Sequence, residues 1–172
     1  LILLLGLMTI GSAVAWHAVS RTQELTTELT MRVSPAQASA FRLQSAFLNQ
    51  ETGIRGYALT GDEDFLAPYN EGLEAEDQAR TRLLELVGDR ADLITDLDAI
   101  TAAATTWRTE FVSVILDEPL NSPLSVEDEQ LIESGKVYFD VLRNQFTEQN
   151  DHIRQARVDV RAELTRAQNI QN

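Results

Sequence analysis

From Glu51 to Tyr69 the chain reads E-T-G-I-R-G-Y-A-L-T-G-D-E-D-F-L-A-P-Y, and this stretch forces a reversal of direction. It opens as helix. Ile54 and Ala58 extend an apolar stripe that arrives through Ala40, Leu43 and Phe47, and Glu51 precedes Arg55 by one turn, the favourable order for a helical ion pair. The helix then has to stop. Gly61 is able to take the left-handed conformation of a helix end, while Asp62, Glu63 and Asp64 place negative charge where a following helix exposes free N–H groups. Pro68 is tolerated only in or near the first turn of that second helix. The segment therefore reads as the apex of a helical hairpin.

The remainder of the chain keeps the same period. Leu25, Leu29, Val33, Ala36, Ala40, Leu43 and Phe47 recur mostly at steps of three, four or seven, so a first helix is expected over about 18–60. Pro35 interrupts it, lacking a donor and crowding the carbonyl four residues back, so a kink or local opening is expected near Arg32 to Pro35. A second helix is expected over 68–87, with Tyr69, Leu73, Leu83 and Val87 on one face and Gly88 as its stop. The third, over 91–117, carries the most regular pattern. Leu93, Leu97, Ile100, Ala104, Trp107, Phe111 and Val114 alternate steps of four and three, the seam of a coiled-coil-like bundle. Pro119 and Pro123 then impose a loop. Ser125 and Asp128 have the spacing of a capping box, opening a last helix over about 126–170 through Leu131, Tyr138, Leu142, Phe146, Ile153, Val160 and Leu164. Gln145, Gln149 and Asn150 dilute that stripe. No stretch alternates in the manner of a strand.

These elements describe an all-α, antiparallel four-helix bundle with long first and last helices. At about 1.5 Å per residue the outer helices reach roughly 60 to 65 Å and the middle pair only about 30 and 40 Å. Short connections make neighbours antiparallel, so the middle pair covers one end of the long pair and leaves two half-covered stripes at the other. A second copy completes that end as a four-helix bundle, which predicts a parallel homodimer.

At 172 residues one domain of this kind is expected over 18–172. The 14 basic and 27 acidic residues leave a formal charge of −13, which argues against nucleic acid and against an anionic membrane face. There is no cysteine, hence no disulfide, zinc-thiolate site or thiol nucleophile. Phosphate-loop, zinc-protease and serine-hydrolase motifs are absent from the sequence. His152 has Gln149 three residues before it, so the Glu-x-x-His pairing of a di-iron bundle is missing, and a solvated or paired histidine is expected. No catalytic residue, metal site or cofactor is predicted.

Residues Leu1 to Trp16 form an uncharged apolar run. A membrane helix over 1–17, truncated at its start relative to the ~20 residues a bilayer requires, is expected, with Trp16 and His17 at the interface and Arg21 ending the zone. The small-x-small string Ala13-Val14-Ala15 also suits a cleaved signal peptide. Continuity of the helical pattern into the first bundle helix favours the anchor.

The string Glu51-Thr52-Gly53-Ile54-Arg55-Gly56-Tyr57-Ala58-Leu59-Thr60-Gly61-Asp62-Glu63, followed by Phe65, Leu66, Pro68 and Tyr69, resembles the signature of the type-3 CHASE domain, and Gly135-Lys136 is a weaker echo of the same family. The likeness extends from about Ala18 to Asn172. It implies an extracytoplasmic sensory domain of a bacterial transmembrane receptor, with an uncleaved anchor and a histidine kinase, diguanylate cyclase or similar output elsewhere in the receptor. The stimulus is an unidentified small molecule or protein. The fragment itself is not an enzyme on this reading.

Within the motif two readings stay open. Glu51, Gly53, Gly56, Gly61, Asp62, Pro68 and Tyr69 serve structure, the Glu51–Arg55 pair lying on or between helices and the glycines admitting close contact. Alternatively Arg55 offers its forked donors to an anionic ligand, with Tyr57 and Thr60 lining a distal pocket. A stalk or dimerisation module without a ligand is the rival to the sensor, and a polar-lined pocket inside the bundle distinguishes the two.

Overall fold

A computed structural model describes residues 16, 17, 19–88, 90–117 and 125–169. Four helices make an antiparallel bundle: α1 (19–60), α2 (Leu66–Val87), α3 (91–117) and α4 (Val126–Asn169). The expected membrane helix over 1–17, apart from its last two residues, and the prolines Pro119 and Pro123 lie outside the described residues. No described helix is long and apolar enough to cross a membrane.

The hairpin apex forms as local chemistry requires. Gly61 takes φ 67° and its N–H donates to the Tyr57 carbonyl at 2.8 Å, closing α1. The Asp62 carboxylate accepts from the Asp64 N–H at 3.0 Å, which winds Glu63–Phe65 into a 3₁₀ turn. That turn lets α2 begin at Leu66, two residues before Pro68, which sits in the first turn where its missing donor is not needed. At the start of α4 the capping box closes reciprocally. Asp128 N–H donates to Ser125 Oγ at 3.1 Å, and Ser125 N–H donates to Asp128 Oδ2 at 2.8 Å.

The seam of α3 keeps the expected alternation through Leu93, Leu97, Ile100, Ala104, Trp107 and Phe111, all buried. It then departs from it. Arg108–Val112 is a π turn, in which the Ser113 N–H reaches back to the Arg108 carbonyl. The extra residue rotates the last turns of the helix, so Ile115 is fully buried and the expected Val114 is 42 % exposed. In α4 the seam runs through Gly135, Phe139, Leu142, Phe146, Gln149, Ile153 and Ala156, alternating four and three. It passes through Phe139 and leaves Tyr138 half-buried, because Phe139 is the aromatic that meets Trp107, ring centroids 5.1 Å apart at 64°. Phe47 and Phe146 form the matching contact between α1 and α4 at 5.5 Å.

Pro35 produces the expected opening as another π turn. Over Leu29–Val33 the helix widens, and the Ser34 N–H donates to the Leu29 carbonyl five residues back. Above this turn α1 and α4 are joined by a polar ladder at seven-residue steps: Gln37 with Arg157 at 3.2 Å, Gln44 with Asn150 at 3.3 Å and Glu51 with Arg143 at 3.8 Å. Below it α2 and α3 no longer flank the pair, and Arg21 and Glu163 tie the two long helices at 2.8 Å.

Gln149 occupies a core position of the α4 seam at 1 % exposure, yet neither amide oxygen nor amide nitrogen finds a partner in the protein. An unpaired buried polar group costs about 1–3 kcal/mol. Gln149→Leu is therefore expected to stabilise the fold by about 1 kcal/mol or more, read as a raised urea midpoint with an unchanged denaturant slope. A lower midpoint means that the amide is satisfied in solution.

Candidate functional site

The end of α1 is fastened to α2 by contact between backbones. A Cβ on Gly53 would lie 2.7 Å from the Phe65 carbonyl oxygen and 2.8 Å from the Tyr69 amide nitrogen, so no larger residue fits without separating the helices. The Phe65 ring covers Gly56. This pinning turns one edge of α1, carrying Glu51, Arg55, Ala58 and Leu59, toward α3 and α4.

There the bundle opens into a cavity of about 170 Å³ between α1, α3 and α4. Its wall is apolar, with Ala58, Trp107, Phe111 and Ile132, and its polar groups are Glu51, Arg55 and Lys136. Gly135 belongs to the lining, and the Phe111 ring packs so closely on it that a Cβ would fall 2.6 Å from ring carbons. Trp107 is completely buried, and its indole N–H has no partner in the protein. Glu51 is held from two sides: Arg55 Nη1 donates to it at 2.9 Å within α1, and Arg143 of α4 lies 3.8 Å away while its guanidinium stacks 4.9 Å over the Phe139 ring.

Of the three ligand candidates read from the sequence, Arg55 borders this cavity. Tyr57 is 8 % exposed and packs in the core. The Thr60 hydroxyl donates to the Gly56 carbonyl at 2.7 Å and accepts from the Asp62 N–H at 3.1 Å, so it is engaged in ending the helix. Trp107, Phe111, Ile132 and Lys136 join Arg55 instead. Trp107 and Phe111 carried a seam signal in the sequence, and Gly135-Lys136 stood out only as a dipeptide.

A second polar centre links three helices. Arg108, on the α3 π turn, donates through Nη2 to Gln50 Oε1 at 2.7 Å and to the Glu76 carboxylate, while Gln50 Nε2 donates to Glu76 at 2.8 Å. The guanidinium also lies 5.1 Å above the Phe47 ring. Burial raises the Tyr69 hydroxyl above the usual tyrosine pKa, an effect that the Arg108 charge beside it only partly offsets. Glu76 thus binds across the bundle, although its spacing to Arg80 also suits a pair within α2. Residues 26–163 match the model of the CHASE3 domain. The chain belongs to the CHASE3 family.

No curated protein and no solved structure matches the chain. A CHASE3 domain is a non-catalytic, extracytoplasmic sensory module of bacterial membrane receptors, a signal input. Among the described residues no cluster of three or more His, Cys, Asp or Glu side chains is arranged to hold a metal ion. In this CHASE3 domain Gly53 and Gly56 lie against Phe65 and Tyr69, Gly61 and Asp62 form the turn, and Glu51 and Arg55 border the cavity.

His152 is half-exposed on α4 and Nδ1 lies 2.8 Å from the buried Asp96 carboxylate of α3. That hydrogen bond and charge, with smaller contributions from Asp92 and Glu148, raise its pKa above the usual 6.5. The sequence showed His152 only as a lone histidine, because Asp96 is 56 residues away.

Two outcomes are expected. Gly53→Ala destabilises by about 1–3 kcal/mol through backbone overlap, against about 1–2 kcal/mol for Gly61→Ala through its left-handed φ alone, measured by urea unfolding. The His152–Asp96 pair favours the protonated imidazole in the fold, so its contribution is complete below pH 6.5 and is lost as pH rises through the raised folded value. The urea midpoint of the native chain should fall across that window more than the midpoint of His152→Asn, and parallel profiles would show the pair to be energetically silent.

Proposed function

We propose that this CHASE3 domain receives a stimulus at its distal end and passes it to the bacterial membrane as a shift of α1 against α4, in a parallel homodimer anchored by a helix over residues 1–17. The output on this reading is a histidine kinase, a diguanylate cyclase or a similar enzyme. The supporting observation is the mismatch in helix length. Below the π turn, α1 and α4 continue as a bare pair in which Leu25 is buried, Leu29, Val160 and Leu164 are half-covered, and Val19 and Val158 are exposed. Full burial of such a side chain stabilises by about 1.5–3 kcal/mol relative to exposure. A second copy related by a two-fold axis supplies the missing cover with the same surface.

The π turn at Leu29–Val33 lies where α2 ends, and Arg32 donates there to the Leu86 carbonyl at 3.3 Å. A widened turn already lacks the regular hydrogen-bond ladder, so it is a place where α1 can change register at small cost. A stimulus that binds one packing better than the other shifts the population between them. The stalk without a ligand draws on the continuous seam of α4, but a cavity with charged groups at its border favours the sensor.

These 172 residues contain no cysteine, so with any cysteine elsewhere in the receptor replaced, an introduced cysteine reports on this domain alone. In the full-length receptor in membranes, Leu164→Cys is expected to oxidise to a disulfide-linked dimer, while Gln78→Cys, on α2, remains monomeric. Failure of Leu29→Cys, Val160→Cys and Leu164→Cys alike to cross-link rejects the membrane-proximal dimer.

A further inference from the structure

We propose that the cavity between α1, α3 and α4 is a binding site for a small monocarboxylic acid with a compact apolar body, its carboxylate held by Arg55 and Lys136 and its body against Trp107 and Phe111. The proposal deepens the sensory reading and rests on it for its purpose, though not for its test.

Size sets the first limit. About 170 Å³ is below the roughly 300–1,000 Å³ of sites for drug-sized ligands and corresponds to the liquid volume of on the order of five or six waters. One ring or a branched chain fits, and a peptide side chain with its backbone does not. The apolar wall gives such a body a dry surface, and Gly135 keeps that wall flat by leaving the Phe111 ring seated on the α4 backbone.

Charge sets the second. The whole chain carries −13, yet the border of this cavity is cationic. Glu51 is engaged by Arg55 and Arg143, and its carboxylate oxygens are thereby directed to protein donors. Lys136 is loosely placed, 3.5 Å from Glu133 with both side chains well exposed. Arg143 is bound more closely by Asp140, at 2.7 Å, so the lining itself holds two cations, Arg55 and Lys136, beside the single carboxylate of Glu51. Arg55 uses Nη1 for Glu51, and a guanidinium has five donors in a planar fork suited to a carboxylate.

An excess of donors is the third. The indole N–H of Trp107, a residue of the wall, is buried with no acceptor in the protein. Arg55 and Lys136 offer donors and no acceptor, so the occupant that satisfies them is an acceptor rather than an amine.

The two tryptophans make the test direct, because Trp16 is 76 % exposed and Trp107 lies in the cavity wall. In a Trp16→Phe background Trp107 fluorescence reports the site alone. Titration with phenylacetate or isovalerate is expected to give a saturable change. Phenylacetamide and 2-phenylethylammonium should bind at least about tenfold more weakly, and Arg55→Gln with Lys136→Gln should together reduce acid affinity by a similar or larger factor. Circular dichroism establishes that each variant is folded. Equal binding of the amide or the amine, undiminished binding in the folded double variant, or no saturable change with either acid overturns the site. Because binding is measured apart from output, a negative titration leaves the sensory role of the domain standing, and the membrane-proximal dimer is tested separately by the cross-linking.

Discussion

A guanidinium partly withdrawn from water, as Arg108 is at 28 % side-chain exposure, calls for charge and hydrogen bonds in place of the hydration it loses. Arg108 meets that demand from two other helices at once, through Gln50 of α1 and Glu76 of α2. The requirement fixes how α1, α2 and α3 stand along the bundle axis, because moving any one helix by a turn leaves a charge or an amide uncompensated. Apolar seams alone are permissive about such sliding, since leucine packs against leucine in several registers. Gln50 and Glu76 occupy seam positions of their own helices, so the polar centre replaces apolar contacts and exchanges some stability for a defined register. The Phe47 ring beneath Arg108 continues the same core into α4 through Phe146.

Arg108 also accounts for where periodicity misleads. The alternation of fours and threes in α3 extends in the sequence to Val114, but the helix widens at Arg108–Val112 and Ile115 takes the inward position. Nothing in the local sequence announces this, since the polar partners lie 58 and 32 residues away. The opening of α1 was legible because its cause, Pro35, is local. Helix ends were legible for the same reason: Gly61, Asp62, Ser125 and Asp128 act within a turn of the groups they satisfy. In α4 the period was right and the register between Tyr138 and Phe139 was not, because only the position of Trp107 decides which aromatic turns inward.

The candidate site divides in the same way. Glu51 and Arg55 were visible as a pair one turn apart, and Gly53 and Gly56 as points of close approach. What a sequence does not display is which face the hairpin turns toward the other helices. Gly53 settles that by bringing the backbone of Tyr69 against α1, and Thr60 is then consumed in the turn while Tyr57 enters the core. Trp107 and Lys136 reach the cavity from α3 and α4, at sequence separations where spacing carries no information.

The unsatisfied groups bear on the proposed shift between packings. Gln149 is buried with an unpaired amide, and the Nε atoms of Arg80, Arg108 and Arg157 are buried without partners. Each such group raises the free energy of this packing by an amount on the order of 1 kcal/mol or more. A bundle of perfectly matched seams would lie so far below any alternative that a small ligand, whose differential affinity supplies at most a few kcal/mol, could not redistribute it. Imperfect polar packing brings the alternatives within reach of that energy. Two π turns interrupt the helices: Leu29–Val33, where the long α1 leaves the cover of α2, and Arg108–Val112 of α3, which holds both a cavity residue, Phe111, and the Arg108 centre. Binding against Phe111 and Trp107 therefore acts on the same turn that sets the register of three helices, and the physical route from the proposed site to the long helix pair runs through Arg108.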